Sequence, residues 1–283
     1  MEKGNTKYSL VILAIVVALV LVYSLVLNQP LTLGIAAIAV LGFLLAYMDT
    51  AIGMGFGTIG TPILLIIGYT SKMAVPSILV SQGIAAALGF LMHRKYKNVD
   101  VEKVTGTDAQ IALRLIAFGV LGTILATLLA LHIPKLYVNT YIGILVVAMG
   151  AILLLKLNMK FSWMKINAIS FVSGFNKAIS GGGYGPVATT GLVVSGHPLK
   201  NAIGVALLSV CVINFTAFGL YLLSNTITNY TLPIFLCVGS VLGSQIGPRM
   251  TKGMNRERSV QIVACLAIIL GILTILTTYF KLY

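Results

Sequence analysis

Gly53-Met-Gly-Phe-Gly-Thr58 and, 128 residues further on, Gly181-Gly-Gly-Tyr-Gly-Pro186 decide how this chain folds. Each follows an apolar run, residues 31–52 and 163–180, and precedes a short one, 61–67 and 187–194. A stub of about eight residues rises only ~12 Å as a helix, so neither stub crosses a ~30 Å hydrocarbon layer. Both stubs read as half-helices. The glycines before them give the chain positive φ and close backbone approach where it turns.

Sliding the chain on itself by 128 residues extends the match. It pairs Gly53, Gly55 and Gly57 with Gly181, Gly183 and Gly185, and Thr61 with Thr189. Lys72 meets Lys200 and Ser81 meets Ser209, with ten identities in the 29 positions from 53 to 81. After a loop shorter by seven residues the shift becomes 121, and Val120-Leu-Gly122 matches Val241-Leu-Gly243. The expectation is a span in residues 1–30, one repeat in 31–157 and a second in 158–283, forming one integral membrane domain.

Composition agrees. Hydrophobic residues are 58% of the 283 and charged ones 9%, with mean hydropathy +1.02. A soluble domain carries about 25% charged residues, so disordered, disulfide-scaffold and ordinary soluble classes are excluded. There is room for about seven to ten membrane segments. The net charge of +13 reads as cytoplasmic-loop and lipid contact; without basic stretches interleaved with aromatics, nucleic acid is not an expected partner. Cys211, Cys237 and Cys265 lie in apolar runs with no CxxC or adjacent His, so no metal site, disulfide or cofactor is expected. No HExxH, GxSxG or phosphate loop occurs, and the expectation is not an enzyme.

Loop charge sets the topology. His93-Arg-Lys-Tyr-Lys97 is basic, while its counterpart, 224–229, carries no charge. The loop 132–135 is weakly charged, while its counterpart holds Arg249, Lys252, Arg256 and Arg258. Opposite bias in equivalent loops predicts copies inverted in the membrane. The run 9–27 after Lys3 and Lys7 reads as an uncleaved first span. Seven full spans follow, with two opposed re-entrant hairpins, the N-terminus cytoplasmic and the C-terminus outside. The predicted fold is thus an all-α polytopic membrane protein of inverted repeats, each a broken helix pair plus three spans.

Non-helical backbone is tolerated at membrane depth only where protein or a polar cavity satisfies it. Half-helices starting at the tips aim free N–H groups and positive dipole ends inward, which suits an anion. Expected ligands are the tip backbone at Gly53, Gly55, Gly57, Gly181, Gly182, Gly183 and Gly185, with Thr58, Thr61, Tyr184, Thr189 and Thr190 as neutral donors. Asp49 and Lys177 are each four residues before a tip, are exchanged by the 128 shift and carry opposite signs. They read either as an ion pair joining the hairpins or as an anion-binding Lys177 with Asp49 in coupling or gating. Lys72 and Lys200 read as interfacial anchors or as vestibule charges in gating. Gln82, Asn176 and Asn214 are candidate path-lining groups; Gln82, Asn214 and Gln245, polar within spans, read equally as cross-links between helices. His93 reads as part of the basic loop.

The two glycine motifs, each followed by a stub, a loop lysine and a span rich in small residues, resemble the sulfite exporter TauE/SafE family over roughly residues 34–280. The resemblance implies a membrane transporter for sulfur-containing small anions such as sulfite or organosulfonates. The expected function is a secondary transporter working by alternating access, with proton coupling through Asp49 or none. An anion channel and a non-transporting membrane assembly or cofactor-handling protein are the alternatives. The expected partners are a small anion, the bilayer and a second copy of the chain, with oligomeric state left open.

Overall fold

A computed structural model describes residues 33–99, 106–155, 162–194, 197–225, 227, 230–251 and 256–280. The expected first span at 9–27, and Lys3, Lys7 and Lys252, lie outside the described residues.

The described residues form helices and connecting turns, with no strands among them. In chain order the helices are α1 (Leu33–Ile52), α2 (Phe56–Ile66), α3 (Ser71–Lys95), α4 (Thr107–His132) and α5 (Lys135–Leu154). Then come α6 (Trp163–Ser180), α7 (Tyr184–Val194), α8 (Leu199–Leu223), α9 (Thr231–Met250) and α10 (Arg256–Phe280). The boundaries of α2 and α3 reappear in α7 and α8 after adding 128 to each number.

The glycines break the helices where expected. Gly53 and Gly181 take φ of 83° and 70° and return their N–H groups to the carbonyls of Asp49 and Lys177 at 2.7 and 2.8 Å. That is a left-handed C-terminal helix stop. Two residues later Gly55 and Gly183, again at positive φ, turn the chain into α2 and α7.

Seven helices are long and apolar enough to cross a membrane: Gly34–Ile52, Ser71–Lys95, Thr107–His132, Lys135–Leu154, Leu199–Leu223, Thr231–Met250 and Glu257–Phe280. Six were expected as spans. The seventh, within α1, is the first limb of the broken element. Its counterpart α6 is not among them, because Lys165, Asn167, Asn176 and Lys177 lower its hydropathy.

Glycines bring the helices into close contact, as small residues do where lipid supplies no hydrophobic drive. A Cβ on Gly243 would crowd the backbone of Phe43 and Tyr47 in α1, and one on Gly122 the backbone of Phe171 and Phe175 in α6. A Cβ on Gly150 would meet Ala264 and Ile268, and one on Gly271 would meet Gly143 and Val147. Each contact becomes its partner under the 128 and 121 shifts. Helices α3 and α8 cross antiparallel: Val75 shares a small cavity with Tyr221, Gly83 faces Asn214 and Gly89 faces Leu207. The outer faces of α4 and α10 remain bare and apolar, with Leu113, Leu121, Ile262 and Ile269 each more than half exposed. Such faces suit hydrocarbon, not water.

Candidate functional site

The two helix breaks meet. A Cβ on Gly57 would land on the Gly181 carbonyl, and one on Gly182 would sit 2.9 Å from the Gly57 carbonyl carbon. Gly185 is packed in the same way on Gly53 and Met54. Only glycine fits this approach of backbone to backbone. Thr189 Oγ1 donates to the Gly53 carbonyl at 3.0 Å, and Gly183 N–H donates to Thr58 Oγ1 at 3.3 Å. Phe56 and Tyr184, exchanged by the shift, are the first residues of the half-helices and are fully buried.

Between the tips lies a polar cavity of about 10 Å³, near the space of one water molecule. It is lined by the starts of α2 and α7 and by Asp49, Gln82 and Lys177. Lys177 is 1% exposed and Asp49 3%. Gln82 joins them: its amide nitrogen donates to Asp49 Oδ2 at 2.7 Å, and its carbonyl oxygen accepts from Lys177 Nζ. Lys177 also donates to the Gly181 carbonyl, while the Asp49 carboxylate accepts from the Phe56 N–H. Both mates therefore reach C-terminally along the chain, but to different depths. The carboxylate reaches the half-helix start at Phe56, the ammonium only the bend at Gly181.

Of the expected residues, the cavity collects Asp49, Gly55, Gly57, Thr58, Gln82, Lys177, Gly182, Gly183, Tyr184 and Gly185. Outside the lining, Gly53 packs on Thr189 and Gly181 on Thr61, and of the two threonines Thr189 adds the hydrogen bond. Thr61 Oγ1 and Thr190 Oγ1 are buried without a hydrogen-bond partner. Asn176 Oδ1 accepts from Tyr141 at 2.5 Å, away from the lining. Asn214 is fully buried on α8 beside Gly83, with neither amide atom partnered. Lys72 lines a separate small cavity with Lys135 and Tyr221, and Lys200 is exposed. His93, expected in the basic loop, is instead fully buried within the last turn of α3, 3.0 Å from the Thr50 carbonyl. Tyr221, which sequence reasoning passed over, donates to the Ala178 carbonyl at 3.0 Å. The signal available was the same shift, since 93 + 128 = 221.

Broken helices paired around buried polar groups, inside a bundle with lipid-type outer faces, are the architecture of a membrane transporter. Residues 37–274 match the family described as sulfite exporter TauE/SafE, and the chain belongs to that family. It is similar to a curated relative in Bacillus subtilis (strain 168), the probable membrane transporter protein YtnM. Identity is 25% over 162 residues, covering 53% of this chain and 51% of the relative, so the match spans about half of each. No solved structure matches.

Proposed function

We propose that this protein is a secondary transporter of small sulfur-containing anions, sulfite or an organosulfonate, working by alternating access around Lys177. The observation carrying the reading is a fully buried ammonium at the place where two half-helix starts converge. Half-helix N-termini with their positive dipole ends, and one cation, make a site for an anion once the tips part. The closed cavity holds about one water, so the tips must part to admit a sulfur oxyanion.

The antiparallel crossing of α3 and α8 supports repeats, 31–157 and 158–283, inverted in the membrane. Arg249 Nε donates to the Tyr96 hydroxyl at 2.7 Å, bringing the two basic loops to one face; the positive-inside rule makes that face cytoplasmic. The N-terminus is then cytoplasmic and the C-terminus outside. Lys72 and Lys200 stand at opposite vestibules and draw anions inward. An anion approaching Lys177 also meets Asp49, and a proton taken up there removes the repulsion; this is the coupling step.

Sulfite flux into proteoliposomes tests the reading. Flux saturates with sulfite, falls at least tenfold in Lys177→Met, and rises with an imposed inward proton gradient. Wild-type flux in Lys177→Met overturns the site, and flux indifferent to the gradient overturns the coupling.

A further inference from the structure

Two hydrogen bonds outside the cavity are exchanged by the repeat although the residues making them differ. Near the end of α8, Tyr221 donates its hydroxyl to the Ala178 carbonyl at 3.0 Å. At the equivalent place in α3, His93 Nε2 lies 3.0 Å from the Thr50 carbonyl. Both 221 − 93 and 178 − 50 equal 128. Asn98 Nδ2 lies 3.2 Å from His93 Nδ1; an amide nitrogen donates, so Nδ1 accepts and Nε2 carries the hydrogen given to Thr50. Both side chains are buried, His93 at 0% and Tyr221 at 4% exposure.

The accepting carbonyls have a particular place. They follow Asp49 and Lys177 directly, and the glycine stop uses the carbonyls of those two residues. Thr50 and Ala178 therefore offer last-turn carbonyls that the broken helix itself leaves unpaired. At the Tyr221 end, a small cavity lined by Lys72, Lys135, Val75 and Ile179 stops two residues short of Gly181. The shift turns Ile179 into Ala51, which is 2% exposed beside Thr50.

We propose that His93 and Tyr221 are paired latches. Each pins the end of one hairpin's first limb to a span of the same repeat, and each closes the route from one membrane face to the Lys177 cavity. They are positioning residues, acting through the Thr50 and Ala178 carbonyls and touching no substrate. The proposal rests on the opposed-hairpin arrangement above but not on the identity of the anion.

The test is maleimide labelling of the full-length, detergent-purified protein, with Cys211, Cys237 and Cys265 replaced by Ala and one cysteine introduced as Ile179→Cys or Ala51→Cys. Tyr221→Phe is expected to raise labelling at position 179 about fivefold, the opening expected from losing one hydrogen bond, and to leave position 51 unchanged. His93→Leu has the opposite pattern, and His93→Gln, which keeps an amide donor, restores the wild-type rate. Equal changes at both positions, or none at either, overturn the latches. Should His93→Leu fail to fold, Tyr221→Phe removes a single oxygen and decides alone. Labelling needs no substrate, so this result stands or falls separately from sulfite flux.

Discussion

Lys177 and Asp49 hold each other in the core through Gln82 and carry a proposed transport role besides, and substitution separates the two. Removing one partner of a buried charge pair leaves the other uncompensated, at about 3–5 kcal/mol. Lys177→Met is therefore expected to lower the thermal midpoint strongly in detergent, and adding Asp49→Asn to recover most of it. Under the proposed function, sulfite flux stays lost in the double variant, because the ammonium proposed to meet the anion is gone. A double variant transporting at the wild-type rate would reduce the pair to a structural strut. Gln82 was legible as a polar group that lines the path or cross-links helices; that its amide joins both charges depends on α3 passing between two helix ends far apart in sequence, which residue spacing does not encode. The glycines were legible, since only residues without a Cβ permit the packing of Gly57 on Gly181. Gly57→Ala should abolish folded protein in size-exclusion chromatography. Gly219→Ala, in a helix with nothing within 4 Å of the added carbon, should stabilise by about 0.5–1 kcal/mol.

At the scale of elements, the half-helices are held by unequal contacts at equivalent positions. Thr189 donates to the Gly53 carbonyl, whereas its mate Thr61 has no hydrogen-bond partner and the Gly181 carbonyl takes Lys177 in its place. Thr189→Val should cost about 1 kcal/mol or more, measured by thermal unfolding, because a buried carbonyl loses its donor. Thr61→Val should be neutral or slightly stabilising in the same assay. The breaks and both stubs could be read in advance from length against bilayer thickness. The asymmetry between the stubs could not: it follows from the opposite charges at positions 49 and 177 and from how far along the chain their side chains reach.

For the whole molecule, the repeat was the most informative sequence feature. Its 128-residue offset relates the observed ends of α2 and α3 to those of α7 and α8, although both half-helices begin earlier than expected, at Phe56 and Tyr184 in place of 61 and 187. It also held the Tyr221–His93 correspondence, hidden because the two residues share a hydrogen-bond donor and not an identity. The proposed orientation predicts sided labelling in intact cells. Single cysteines at positions 72 and 225 should react with a membrane-impermeant thiol reagent added outside, while those at 95 and 200 should react only after permeabilisation. The opposite pattern would turn the molecule over; one shared pattern at 72 and 200 would dissolve the inversion.

The meeting of Gly57 with Gly181 and Gly182 also bears on what happens between turnovers. Backbone seals against backbone with space for about one water, so among the described residues the contact between the tips leaves ions no continuous wet path through it. A cell could then insert many copies into its envelope without draining the electrochemical store that drives its other work.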